Sequence, residues 1–152
     1  MSDADPAAVT EWPVRPRVAR LFAAAVAINF GWEMAQMRLY ASTGSWLQDV
    51  VGCLTASLGD GGMILIIWAT GALLFRRPDW FRRPRVSGYA VMLTMGVILA
   101  VAFEMSALRT GRWAYGPSMP RLPMTGGLGL LPMLQMVILP PVIFTIVSAL
   151  ER

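Results

Sequence analysis

Residues 50–75 read VVGCLTASLGDGGMILIIWATGALLF, and this stretch decides the fold class. A helix needs about 20 mainly apolar residues to cross a membrane, and this stretch exceeds that length with one charged residue, Asp60. Similar stretches occur at 18–40, 87–108 and 128–150. The sequence therefore predicts an all-α, polytopic membrane protein with a bundle of four transmembrane helices.

The composition agrees with this prediction. The chain has 152 residues, of which 56% are hydrophobic and 14% charged, whereas about a quarter of the residues are charged in soluble domains. This length suits one domain, which we expect to span residues 18–152 after a mobile cytoplasmic tail over residues 1–17. The chain has one cysteine, Cys53, and no histidine. These counts exclude an intramolecular disulfide and remove the commonest metal ligand.

We expect no metal or cofactor, although three pairs of methionines at MxxM spacing are candidate copper ligands. They are Met34/Met37, Met92/Met95 and Met133/Met136. Thioethers bind Cu(I), but methionine also fills irregular gaps between helices. Without histidine, packing is the interpretation that we favour.

The arginines predict the orientation of the bundle. Nine of the 13 lie in the N-terminal tail, in the loop between the second and third spans, or at the C-terminus. Basic residues favour the cytoplasmic side, so we expect both termini in the cytoplasm and the protein in a bacterial inner membrane. The loops at 41–49 and 109–127 would face outward. Arginines between apolar helices are better explained by topology than by nucleic-acid binding, so no nucleic-acid partner is expected.

Three carboxylates lie inside three of the spans: Glu33, Asp60 and Glu104. A charge in hydrocarbon costs at least about 2.5–3.5 kcal/mol, so such residues are rare and usually functional. A helix rises about 1.5 Å per residue, which places all three acids, together with Gln135, in the outer half of the membrane. The sequence therefore predicts one polar pocket that opens outward, with the three acids as its catalytic residues.

The first span contributes a polar face to this pocket. Asn29, Glu33, Gln36 and Tyr40 are spaced at i, i+4, i+7 and i+11, which puts them on one side of a helix. Such a face turns toward the bundle interior or a water-filled cavity. The expected binding residues are Asn29, Trp32, Gln36, Tyr40, Arg109, Arg112, Trp113, Tyr115 and Gln135.

Two features of this pattern have alternative interpretations. Trp113 and Tyr115 fit either an outer aromatic belt, together with Trp46, or a cap over the pocket. The glycines at 59, 61 and 62 fit either close helix packing or a broken helix that lines a site. When the sequence is aligned with itself at a shift from residue 33 to residue 104, the Glu-Met pair at the first position matches the Glu-Met pair at the second. The chain could therefore consist of two tandem repeats of two helices each.

The three acids also have a structural interpretation. Each carboxylate could pair with a nearby arginine, such as Arg38, Arg109 or Arg112, and lock the bundle together. Three desolvated acids at one depth are costly to keep for packing alone. We therefore favour a functional interpretation.

Three segments carry a resemblance to known proteins. They are 29–36 (NFGWEMAQ), 58–60 (LGD) and 111–115 (GRWAY). Together they resemble a group of small bacterial inner-membrane proteins of uncharacterised function, which implies a membrane location and no activity.

A second, fainter resemblance covers Glu104, the segment 113–115 (WAY) and Pro132. It is similar to the lycopene cyclase-type membrane domain of carotenoid synthesis, in which a W-x-Y segment precedes a helix that opens with proline and a pair of acids. Leu134 and Gln135 stand where that pair would be. The resemblance therefore implies an apolar substrate that meets carboxylates, and it does not extend to cyclase chemistry.

The leading functional hypothesis is a membrane enzyme or binding protein for an apolar lipid or isoprenoid. A carboxylic acid in an apolar site can act as a general acid, so Glu33 and Glu104 would donate and accept the proton. Asp60 would stabilise developing positive charge, and Trp32, Trp113 and Tyr115 would shape the pocket. The alternatives are a small transporter or channel subunit for protons or a cation, or a subunit of a homo-oligomer or larger membrane complex.

Overall fold

The computed structural model describes residues 14–42, 44–123 and 125–151. Its four long helices are α1 (Val14–Gln36), α2 (Trp46–Phe75), α3 (Val86–Thr110) and α4 (Leu130–Leu150). Short 3₁₀ turns follow α1 at Met37–Leu39 and precede α3 at Trp80–Arg82. Each long helix contains a segment that is long and apolar enough to cross a membrane. The predicted four-helix bundle is confirmed, and the chain is a multi-pass membrane protein.

The helix ends differ from the predicted ends by a few residues. α1 begins at Val14, so residues 14–17 of the expected tail are helical, and the rest of that tail lies outside the described residues. α2 begins at Trp46 because the Ser45 hydroxyl accepts a hydrogen bond from the backbone N–H of Gln48, at 3.2 Å. This is the usual cap of a helix N-terminus. Gly111 ends α3 with a φ of 68°, a conformation that favours glycine.

The helices form a ring in which α1 contacts α2, α2 contacts α3, α3 contacts α4, and α4 returns to α1. The loop between α2 and α3 closes one end of this ring. Its Trp80 is buried and donates a hydrogen bond of 3.0 Å to the backbone oxygen of Trp68. A Cβ on Gly71 would overlap the Trp80 ring. The arginine-rich loop therefore fills the core at this end, which the arginine count did not predict.

The proline pair inside α4 explains a close contact with α3. Pro140 has no N–H, so the backbone oxygen of Met136 loses its helical partner. Gly96 of α3 lies against that oxygen, and a Cβ at this position would overlap it. A residue without a side chain is therefore required here for the two helices to approach.

The glycines around Asp60 play different roles. Gly61 packs against Phe22 and Val26 of α1, whereas a Cβ on Gly59 or Gly62 would meet no atom within 4 Å. α2 is continuous through all of them, so the broken-helix alternative is wrong.

Candidate functional site

A cavity of about 440 Å³ lies in the half of the bundle opposite the arginine-rich loop. Its wall takes residues from all four helices and from the loop between α3 and α4. Glu33 of α1, Asp60 of α2 and Glu104 of α3 all line it, together with Gln135 of α4. Acids from three different helices therefore share one space.

The cavity lies between α2 and α3, which have the least extensive contact of the four pairs of neighbouring helices. Val51, Thr55 and Gly59 of α2 and Phe103 of α3 line it and are exposed at the surface of the bundle. The cavity is therefore open between α2 and α3, and it also reaches the surface at the loops, where its lining residues Gln48 and Arg112 are exposed. In a four-helix membrane bundle, the side between α2 and α3 faces lipid.

A chain of amide groups joins two of the acids. Gln36 donates a hydrogen bond to Oε1 of Glu33 at 2.8 Å, and another to the side-chain oxygen of Gln135 at 3.1 Å. Gln135 in turn donates to Oδ2 of Asp60 at 2.8 Å and to the side-chain oxygen of Asn29 at 2.9 Å. This network ties α1, α2 and α4 together, and all five side chains are buried.

The third acid, Glu104, is held from the loop that follows α3. The Trp113 indole N–H donates to its Oε1 at 3.2 Å, and the Tyr115 hydroxyl donates to the same oxygen. The Tyr115 oxygen also accepts a hydrogen bond of 2.7 Å from the backbone N–H of Gly129. Burial and the hydrogen bond to Glu104 raise the pKa of Tyr115, so the phenol keeps its proton and remains a donor.

Two loops meet above the acids and bring three aromatic rings together. The N–H of Ala41 donates to the oxygen of Ala114 at 2.9 Å, next to the bridge between Tyr40 and Tyr115. The Tyr40 ring lies 6.5 Å from Trp113 and 5.8 Å from Tyr115, measured between centroids. We call these three residues the aromatic cap. Trp113 and Tyr115 both donate hydrogen bonds to Glu104, which is the geometry expected of a cap over the site.

No arginine neutralises these acids within the described residues. The ion pairs there join Arg17 and Arg20 to Glu151, and Arg77 to Asp79. Within the described residues, the alternative in which these acids form ion pairs with Arg38, Arg109 or Arg112 is therefore wrong.

In each of the three carboxyl groups, one oxygen is available to accept a hydrogen bond from a ligand. Glu33, Asp60 and Glu104 each accept their hydrogen bonds through a single oxygen. By hydrogen-bond geometry, the second oxygen accepts from no group of the described chain, although the Gln135 amide also lies beside the Glu33 carboxyl group. None of these oxygens is among the fully enclosed atoms that lack a partner. Each second oxygen is thus accessible from the cavity.

The other predicted site residues occupy different positions. Tyr40, Arg112 and Trp113 line the cavity, whereas Asn29 and Gln36 lie behind its wall in the amide network. Trp32 is connected to the site through Gln36, because its indole N–H donates a hydrogen bond of 3.1 Å to the side-chain oxygen of Gln36.

Arg109 does not reach the site. It is exposed in the last turn of α3 and does not line the cavity. At 3.6 residues per turn, a residue five positions after Glu104 points about 140° away from it.

The sequence analysis missed the small-residue face of α2 that makes the cavity possible. Gly52, Ala56 and Gly59 all line it, at i, i+4 and i+7. Open space surrounds the Cβ position of both glycines. The spacing was available as a signal, since it places the three residues on one helical face. Cys53 also lines the cavity, and its thiol lies 3.6 Å from the backbone oxygen of Glu33.

No protein-family model, curated protein or solved structure matches this chain. The two resemblances therefore stay predictions. Within the described ranges, no group of three or more cysteine, aspartate or glutamate side chains is placed to hold a metal ion. The cavity and its acids are the observations from which a function can be argued.

Proposed function

We propose that the protein binds a lipid-soluble molecule, an apolar lipid or isoprenoid, with its polar end among Glu33, Asp60 and Glu104. The observation that carries this proposal is the available oxygen on each carboxyl group, at the wall of a cavity that opens between α2 and α3. A carboxyl oxygen in a largely apolar cavity is stabilised when it accepts a hydrogen bond or meets a positive charge. A ligand that offers hydrogen-bond donors or positive charge would supply the missing partners.

The position of the opening favours entry from the membrane. Exposed apolar side chains of α2 and α3 border it, including Val51 and Phe103. A molecule dissolved in lipid can pass such an opening without leaving an apolar environment. Ligand sites are typically apolar cavities with a few placed polar groups, and this cavity has that composition.

The held oxygens give the acids fixed positions, which general acid–base chemistry requires. Glu33 is held by Gln36, and Glu104 by Trp113 and Tyr115. We assign these two acids the transfer of a proton to and from the ligand. Asp60, held by Gln135, would stabilise positive charge that develops on the ligand.

We also propose that the protein lies in a bacterial inner membrane with both termini in the cytoplasm. The support is the arginine count, with nine of 13 arginines on the side of the termini and the central loop. In this orientation the aromatic cap lies at the outer face, and the cavity occupies the outer half of the bundle.

A small transporter or channel subunit for protons or a cation is the second candidate. It is favoured by the accessible oxygens of three acids inside the bundle. The amides of Gln36 and Gln135 separate Glu33 from Asp60, and an amide does not exchange protons as a carboxyl group does. Proton transfer between these acids would therefore have to cross the cavity itself.

Photolabelling of the protein in lipid nanodiscs tests the proposal. The probe is dodecanol carrying a diazirine in its chain, and labelled peptides are identified by mass spectrometry. We expect labels on residues of the cavity wall, such as Met63 and Met136.

Two glycine variants supply the control. Gly59→Phe places a ring in the cavity, whereas Gly62→Phe places the same ring in open space on α2 at a residue that does not line it. We expect the first variant to reduce labelling of the wall by roughly tenfold, as a loss of about 1.4 kcal/mol in affinity would, and the second to leave it unchanged. Equal labelling of both variants would refute the proposal.

A further inference from the structure

The geometry points to a cationic head group, a protonated amine or a quaternary ammonium, as the part of the ligand that the cavity recognises. This inference rests on the proposed function, since it names the chemistry of the molecule that the same cavity binds.

The charge at the cavity wall is the first argument. Glu33, Asp60 and Glu104 line it, a fourth acid, Asp49, lines it near the loops, and Arg112 is the one basic residue among its lining side chains in the described chain. An anionic head group such as a phosphate or a carboxylate would meet mainly hydrogen-bond acceptors here, and each acid that is ionised would repel it. A cation would meet accessible carboxylate oxygens from three helices.

The aromatic cap is the second, independent argument. Tyr40 and Trp113 both line the cavity, and their ring planes are perpendicular, at 88°. Two perpendicular aromatic walls beside a carboxylate form a corner that suits an ammonium group, because ring faces attract cations. Trp113 also donates its N–H to Glu104, which fixes the ring next to that acid.

The protein's own Arg112 shows that one of these rings accepts a cation. Its guanidinium carbon lies 5.7 Å from the centroid of the Trp113 ring, within the range of a cation–π interaction. Arg112 is exposed, so no buried contact holds its side chain against displacement by a ligand. Because it competes with a cationic ligand for the Trp113 ring, removing its charge should strengthen binding.

A hydroxyl head group is the alternative that the same cavity allows. It could donate one hydrogen bond to an accessible oxygen, but it would use neither the negative charge nor the ring faces. The two head groups therefore differ in their dependence on Glu104, Asp60 and Arg112.

The test compares three diazirine probes with the same dodecyl chain in nanodiscs of zwitterionic lipid. They are dodecyltrimethylammonium, dodecanol and dodecyl sulfate, whose charges do not change with pH. We expect the ammonium probe to label the cavity wall roughly tenfold more than the alcohol, equivalent to about 1.4 kcal/mol, and the sulfate probe to leave the wall unlabelled. The Gly59→Phe variant should remove the ammonium label, which separates binding in the cavity from general partitioning into lipid.

Three charge variants complete the test. Glu104→Gln and Asp60→Asn should each reduce ammonium labelling, Arg112→Gln should increase it, and Asp79→Asn, at the opposite end of the bundle, should leave it unchanged. Because Arg112 is exposed, its variant keeps the test valid if an acid variant fails to fold.

The outcomes separate this inference from the proposed function. If dodecanol labels the wall as strongly as the ammonium probe, or if Arg112→Gln weakens ammonium labelling, the cationic head group is wrong while the cavity remains a lipid-binding site. Preference for the sulfate probe would also overturn the inference. If no probe gives a label that Gly59→Phe removes, the inference and the proposed function fail together.

Discussion

The hydroxyl of Tyr115, in the loop after α3, donates a hydrogen bond to Glu104 inside the bundle. The same hydroxyl accepts a hydrogen bond from the backbone N–H of Gly129, just before α4 begins. One side chain thus connects the carboxylate of α3 to the start of α4. The loop is therefore part of the site, and its stability and the position of Glu104 should change together.

Replacement of Tyr115 by phenylalanine tests this connection. The variant removes both hydrogen bonds, each worth about 0.5–1.5 kcal/mol net, and more where the partner is charged. We therefore expect a loss of about 1–3 kcal/mol in the free energy of unfolding, measured by denaturation in detergent. The control is Tyr89→Phe, because Tyr89 is exposed on α3. Equal losses in the two variants would show that Tyr115 does not hold the loop.

The ionisation of the phenol gives a prediction on pH. Burial, followed by the hydrogen bond to Glu104, raises the pKa of Tyr115, so its neutral form is favoured in the folded protein. The stabilising contribution of a group with a raised folded pKa is complete below its ordinary pKa, about 10 for tyrosine, and is lost as the pH rises through the folded value. Tyr115 should therefore stay neutral at pH values where ordinary tyrosines ionise.

Ultraviolet absorbance measures this directly. We expect wild type and Tyr115→Phe to show the same tyrosinate signal as the pH passes about 10, since Tyr115 does not contribute there. A wild-type signal larger by one phenolate would contradict the prediction.

A pair of glycine variants tests the packing between α3 and α4. Gly96→Ala would place a methyl group on the backbone oxygen of Met136, and overpacking of this kind costs about 1–3 kcal/mol. Gly62→Ala is matched to it, because Gly62 is also helical but has open space at its Cβ. Alanine favours a helix over glycine by about 0.5–1 kcal/mol, so this variant should hold or gain stability. The measurement is the thermal unfolding of both variants relative to wild type. A Gly96→Ala protein as stable as wild type would show that α3 and α4 do not approach as described.

The acids themselves give a prediction that separates a working site from a structural one. Glu33→Gln and Glu104→Gln keep the shape of the side chain and remove its ionisation. If the acids serve the ligand, binding or activity should be lost while the free energy of unfolding holds or rises, since the cost of desolvating a charge is gone.

The structural alternative predicts the reverse. Leaving a buried hydrogen-bonding group without its partner typically costs about 1–3 kcal/mol. Strong destabilisation of both variants, with labelling of the cavity wall retained, would favour it. Denaturation and photolabelling of the same preparations measure the two effects together.

The orientation of the bundle can be tested with reporter fusions. The arginine distribution predicts that the C-terminus lies in the cytoplasm and that Pro117, in the loop between α3 and α4, lies on the other side. A cytoplasmic reporter should be active at the C-terminus and inactive at Pro117. Activity in the same compartment at both positions would exclude the proposed topology.

The sequence predicted the features that depend on local composition. Four apolar stretches specified four spanning helices, and the placement of Glu33, Asp60, Glu104 and Gln135 followed from counting residues along those helices. Hydropathy and helical rise are local quantities, so one sequence was enough for both.

Features that depend on contacts between distant residues were not predicted. Gln135 joins residues of two other helices, and nothing near it in the sequence identifies those partners. Trp80 is buried in the core because Gly71 leaves space for its ring. The arginines near it in the sequence predicted only a cytoplasmic loop. Arg109 was expected in the site from its position near Glu104 in the chain, but helical geometry turns it away.

The central claim is that the three intramembrane carboxyl groups face one cavity that is reached from lipid. Dicyclohexylcarbodiimide, a lipid-soluble reagent that modifies carboxyl groups, tests it most directly when compared with a water-soluble carbodiimide on the protein in nanodiscs. Mass spectrometry should locate the lipid-soluble label on Glu33, Asp60 or Glu104, strongly reduced in Gly59→Phe and unchanged in Gly62→Phe. Modification of these residues by the water-soluble reagent alone, or lipid-soluble labelling that Gly59→Phe does not reduce, would contradict the account.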